Sequence, residues 1–136
     1  MILSQNFNLE EFTSSATAKL KNIDNRPDVQ VMESLKRLCV EILQPIRNKF
    51  GLPITISSGY RCAALNNAIG GSKNSQHIKG EAADIFCIDN AKLWNLICKM
   101  ILNGEITVGQ LIDEKNLRWI HISLPNSMHC NQILQI

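Results

Sequence analysis

The sequence has no long hydrophobic run. Nowhere does it approach the roughly twenty consecutive apolar residues that a membrane-spanning helix needs, and Met1-Ile2-Leu3-Ser4-Gln5-Asn6 has neither the basic start nor the apolar stretch of a secretory signal. The expectation is a soluble protein made in the cytoplasm, with no membrane insertion. Cysteine is present but unpatterned: Cys39, Cys62, Cys87, Cys98 and Cys130 form an odd set with no Cys-x-x-Cys pair. That argues against a disulfide framework and against a thiolate zinc knuckle, and leaves most of them as small buried hydrophobes in a reducing compartment. An excess of one charge is also missing. Fourteen Lys and Arg stand against twelve Asp and Glu, a net of +2, scattered along the chain. No nucleic-acid surface is expected from such a distribution, although a mild positive balance suits a polyanionic polymer such as a cell wall. Finally, no low-complexity linker divides the 136 residues, so one domain spanning 1–136, acting as a monomer, is expected.

The patterned stretches suggest mixed secondary structure. Asn8 followed by Leu9-Glu10-Glu11-Phe12 reads as an N-cap and a short helix with acids in its first turn. Thr13 to Lys21 reads as a second short helix or turn, and Asn22 to Arg26 as a polar turn ending at Pro27, which suits the first position of a helix. Val31, Leu35, Leu38, Ile42, Leu43, Ile46 and Phe50 then recur on one helical face. Pro45 is expected to kink this scaffold helix or mark a turn, and Gly51 to stop it. Pro53 to Ser58 reads as a strand, Ala63 to Ala68 as a helix closed by Gly70-Gly71, and Ser72 to Gln76 as a polar loop. Ala82 to Ile88 reads as a mostly buried strand, and Asn90 to Leu102 as an amphipathic helix capped by Asp89 or Asn90. Val108 to Ile112 and Arg118 to Leu124 read as strands joined by the polar segment Asp113 to Asn116. Pro125 to Ile136 shows little pattern beyond an apolar end.

Within this frame one cluster of residue types carries chemistry. Asp84 is the single charge in its strand and needs a partner. His77 precedes it across a glycine turn, and His121 returns on the alternating segment Trp119-Ile120-His121-Ile122-Ser123. Two neutral nitrogens and one negative oxygen form a three-ligand set of the kind an open zinc site uses, with a fourth position left for water. Gly80 permits the tight turn between two ligands, and Ala82 and Ala83 keep bulk away. Arg61, at the end of another strand, can pair with a substrate carboxylate or a developing oxyanion, or serve as a structural salt bridge. Tyr60 and Trp119 can line a substrate cleft or pack in the core. His129, in the unpatterned end, is assigned no role.

The motif His77-x-x-Gly80-x-Ala82-x-Asp84, preceded by Ser75 and followed by His121 in an alternating strand, resembles the zinc D-Ala-D-Ala carboxypeptidases and their relatives. That group also includes bacterial dipeptidases of vancomycin resistance and the hedgehog signalling domain, and the likeness is closest to small phage and prophage members that cleave peptidoglycan peptides. It extends to Leu9-Glu10-Glu11-Phe12, Ser57-Ser58-Gly59-Tyr60-Arg61, Gly70-Gly71-Ser72-Lys73, Gln110-Leu111-Ile112 and Trp119 to Ser123. The resemblance implies an α+β fold in which a small antiparallel sheet carries the zinc site and packs against helices. It implies Zn2+ held by His77, Asp84 and His121, substrate contacts from Arg61 with Tyr60 beside it, and Ser75 supporting the site. Many relatives place a catalytic carboxylate three residues before the last ligand, where this chain has Arg118. The nearest upstream acids are Glu114 and Asp113, and Glu114 is assigned as the base.

The function expected is that of a zinc peptidase cutting peptidoglycan stem peptides or cross-bridges as an endopeptidase or carboxypeptidase, reaching the wall after release as an endolysin of phage or prophage type. The alternative is a zinc-stabilised module that binds wall peptides without cutting them.

Overall fold

The computed structural model describes all residues, Met1–Ile136. Two short strands, β1 (Ile2–Ser4) and β2 (Phe7–Asn8), pair antiparallel at the start of the chain. Asn8 then caps α1 (Leu9–Thr13): its side chain accepts from the Glu11 N–H while Glu11 accepts from the Asn8 N–H, a reciprocal capping box. A second helix, α2 (Ala16–Leu20), follows behind Ser15 as N-cap.

The scaffold helix starts two residues later than Pro27 suggests. Asp28 is the N-cap, its carboxylate accepting from the Val31 N–H, and α3 runs Val29–Leu38. At Cys39–Leu43 the helix widens into a π turn before continuing as α4 (Gln44–Phe50). Pro45 explains the widening. It has no N–H to donate and its ring crowds the carbonyl four residues back, and a π turn changes the carbonyl spacing there without ending the helix. The sequence-based kink is therefore taken up as a π turn.

Strand β3 (Thr55–Ser58), helix α5 (Ala63–Ala68), strand β4 (Ala82–Phe86), helix α6 (Asn90–Leu102, capped by Asp89) and strands β5 (Gln110–Glu114) and β6 (Trp119–Ser123) follow the expected order. A fifth strand, β7 (Gln132–Gln135), arises from the end that shows little pattern. The main sheet has the order β3-β4-β6-β5-β7. Its first four strands are antiparallel, as expected, but β7 lies parallel to β5, so the sheet as a whole is mixed. Strand β5 begins two residues later than expected and extends through Asp113 and Glu114, which are strand residues rather than the connecting turn.

Register sorts the side chains onto two faces, because residues directly opposite each other share a side and successive residues alternate. Ala83, Ile122 and Leu111 form one cross-strand row and Ile85, Ile120 and Asp113 another; their face is covered. There Ile85, Leu111, Ile120 and Ile122 join Leu35, Leu38, Ile42 and Ile46 of the long helix and Leu93, Ile97 and Ile101 of α6 in one core. The row Asp84, His121 and Ile112 lies on the opposite face, with Glu114 opposite Trp119 in the neighbouring row.

Candidate metal centre

His77 reaches the sheet from a short 3₁₀ turn, Gln76–Lys79, where the sequence suggests the end of a loop. Ser75 caps this turn, its Oγ accepting from the His77 N–H at 3.2 Å. Gln76 anchors it from within, donating to the Leu124 carbonyl at 2.9 Å beyond the end of β6. Gly80 closes it with φ 72°, a left-handed conformation; a Cβ there would lie 2.8 Å from Val31 Cγ1 and 2.9 Å from the Val31 carbonyl oxygen. The turn therefore sits directly on the scaffold helix.

The His77 ring is buried, and its Nδ1 lies 2.7 Å from the Gly59 carbonyl oxygen. A carbonyl only accepts, so Nδ1 carries the proton and Nε2 keeps its lone pair. Nε2 stands 3.4 Å from Asp84 Oδ1, and His121 Nδ1 stands 3.1 Å from the same oxygen. The two rings meet edge-on with centroids 5.1 Å apart. Burial alone would raise the Asp84 carboxyl pKa, but the two imidazoles beside its Oδ1 outweigh it and hold that pKa below the usual carboxylate range. Asp84 is therefore an anionic oxygen donor at neutral pH.

One donor atom from each of His77, Asp84 and His121 lies within 4.8 Å of the others. Bond lengths of about 2.0–2.1 Å in a tetrahedral zinc site place neighbouring ligand atoms about 3.3 Å apart. The separations of 3.4 and 3.1 Å around Asp84 Oδ1 match that spacing, and the donor set of two imidazoles and one carboxylate fits Zn2+.

The centre forms the floor of a cleft of about 690 Å³, within the range of small-molecule and peptide sites. Arg61, Lys73 and Lys79 line it with positive charge, while Glu114 and Trp119 line it with the remaining sheet face. Arg61 Nη2 touches Ser75 Oγ at 3.5 Å, and burial lowers the guanidinium pKa, an effect opposed by Asp84. It stays protonated regardless.

The other assigned residues fall as follows. Glu114 is half-buried and faces the cleft. Asp113 points to the opposite, covered face, where its Oδ1 accepts from the Leu117 N–H at 2.6 Å. Tyr60 does not line this cleft; it packs against the core and borders a neighbouring depression that shares only Arg61 with it. Trp119 does line the cleft. So does His129, brought over by a turn in which Asn126 Oδ1 accepts from the N–H groups of Met128 and His129. No local sequence signal marks His129, because that turn and β7 depend on partners far along the chain.

A cleft-floor set of two histidines and one aspartate, open on one side and flanked by a carboxylate and an arginine, defines a metallopeptidase-type centre. The family can be stated as well: residues 5–123 match the family described as Peptidase M15, and the chain belongs to it. Over 44 residues it is 43% identical to the zinc D-Ala-D-Ala carboxypeptidase of Streptomyces albus G, a stretch that covers 32% of this chain and 17% of that relative.

Proposed function

We propose that the protein is a zinc-dependent peptidase that hydrolyses peptide bonds in the stem peptides or cross-bridges of bacterial peptidoglycan. The observation that carries this reading is the convergence of His77, Asp84 and His121 in a cleft that also presents Arg61 and Glu114. Membership of the Peptidase M15 family supports it, as does the local likeness to an enzyme named for zinc and D-Ala-D-Ala.

His77 Nε2, Asp84 and His121 would hold the ion. When bound, Zn2+ supplies a Lewis acid and lowers the pKa of its water toward neutrality. The chain's own groups do the rest. The Gly59 carbonyl holds the His77 ring in the one tautomer that leaves Nε2 free. The Glu114 carboxylate takes the proton of the attacking water and returns it to the leaving amine. The Arg61 guanidinium pairs with a substrate carboxylate or with negative charge growing on the attacked carbonyl oxygen, with Ser75 Oγ beside it at 3.5 Å. The bases Arg61, Lys73 and Lys79 favour a peptide bearing carboxylates. In this reading the protein works as a monomer on the wall after release, in the manner of a phage or prophage endolysin.

Digestion of purified peptidoglycan with the zinc-loaded protein, read by mass spectrometry, tests the reading and identifies the bond. New peptide termini that vanish on chelation and return with zinc are the expected result. Zinc-dependent retention of wall peptides without any new terminus would overturn the peptidase and leave a binding module.

A further inference from the structure

We propose that Asn25 is the positioning residue for Arg61, a role that rests on the reading of Arg61 as a substrate-binding group. Arg61 has little to hold its side chain. Its one side-chain hydrogen bond, to Ser75 Oγ, is 3.5 Å long, and its buried Nε has no partner. The position of the guanidinium therefore depends on where the backbone launches it.

Asn25 grips that backbone on both sides. Its side chain is buried and comes from the polar turn before the scaffold helix. Its Nδ2 donates to the Tyr60 carbonyl at 3.0 Å and to the Thr13 carbonyl at 3.0 Å, and its Oδ1 accepts from the Cys62 N–H at 2.8 Å. Only one orientation of the amide satisfies two acceptors and one donor, so the group has no alternative flip. The residue before Arg61 and the residue after it are thus tied to a single amide, which is itself tied to the end of α1. The Arg61 N–H donates to the His77 carbonyl at 3.1 Å, completing a frame that sets the arginine relative to a metal ligand.

No smaller or isosteric residue replaces this frame. Alanine leaves two carbonyls and one N–H without partners, and aspartate keeps the acceptor for Cys62 while facing the two carbonyl oxygens with no donor. Misplacement of a substrate-orienting group by about an ångström is worth up to roughly a hundredfold in rate.

The test is a double-mutant cycle on the zinc-loaded full chain, with cleavage of wall peptides and the Arg61 Nε–H cross-peak in nitrogen-edited NMR as readouts. Asn25→Ala is expected to lower kcat/KM about tenfold to a hundredfold with one zinc per chain retained. In an Arg61→Ala background the same change should cost no more than about threefold, because residues acting through one another are non-additive. Equal losses in both backgrounds would overturn the proposal, since a general effect on the fold multiplies through. If Asn25→Ala does not fold, Asn25→Ser, whose hydroxyl can still meet one of the three backbone partners, should show a loss with the same non-additivity. The NMR readout is independent of peptidase activity. A shifted or broadened Arg61 Nε–H signal in the Asn25 variant supports the proposal even if no wall peptide is cut, and an unchanged signal refutes it.

Discussion

Adjacent acids at the end of β5 provide a sharp test, because the strand sends them to opposite faces. Glu114 faces the cleft opposite Trp119, whereas Asp113 faces the core side and accepts from the Leu117 N–H at 2.6 Å. Leu117 is the last of three successive residues with left-handed φ, at 50°, 56° and 60° for Lys115, Asn116 and Leu117. Asp113 thus holds a costly turn together. Replacing Glu114 by Gln keeps the shape and removes the proton acceptor, so turnover should fall by two to four orders of magnitude, roughly the worth of general acid–base help, with little change in melting temperature. Replacing Asp113 by Ala strands the Leu117 N–H, at a cost of about 1–3 kcal/mol. For a 136-residue chain the unfolding entropy makes each kcal/mol worth about 3–4 °C in Tm, so a drop of about 4–10 °C is expected while most kcat/KM remains. Calorimetric melting of each variant beside chromatographic release of muropeptides measures both quantities. A stable, inactive Asp113 variant with an active Glu114→Gln would refute the assignment from strand faces.

Three further outcomes follow from the same structure. His77→Ala and His121→Ala should each lose the bound metal by elemental analysis, and full zinc occupancy in both would remove the centre altogether. Gly59→Ala places a Cβ 2.6 Å from both the Phe12 Cα and carbonyl oxygen and shifts the carbonyl that orients His77. It should therefore cost about 1–3 kcal/mol and weaken zinc binding in a chelator competition; wild-type values for both would show that the loop absorbs the methyl freely. Burial pushes the Cys39 thiol up to about 12, so at pH 8 almost no thiolate exists there. Alkylation of the native protein followed by mass spectrometry should label exposed Cys130 and spare Cys39 until unfolding, and prompt labelling of Cys39 would contradict its burial.

Much of the centre can be read from sequence because its residues lie in locally patterned segments. The alternation through Trp119-Ile120-His121-Ile122-Ser123 puts His121 on the side away from the core, and the apolar run around Asp84 marks it as a charge in need of partners. Asn8 and Glu11 announce their capping box in the same local way. Other features need the third dimension. The β1–β2 pair and β7 are short and owe their existence to distant partners, so their residues carry no periodicity strong enough to notice. The choice between Glu114 and Asp113 requires knowing where β5 ends, and Ser75, Gln76 and Gly80 show their joint role only once the 3₁₀ turn is docked on the long helix. Asn25 looks like an ordinary turn residue until Thr13, Tyr60 and Cys62 are folded around it.

The main sheet separates two kinds of selection pressure. Residues that fill the core lie on one side of strands β4, β5 and β6, and those that line the cleft lie on the other, one position away along the same strands. Gln110 and Trp119 can therefore be exchanged for other side chains while Leu111 and Ile120 continue to fill the interior. Directed evolution toward a different peptide could explore the open face extensively without first raising stability. A single inserted or deleted residue within β5 or β6 would have the opposite effect, because it would exchange the two faces beyond that point.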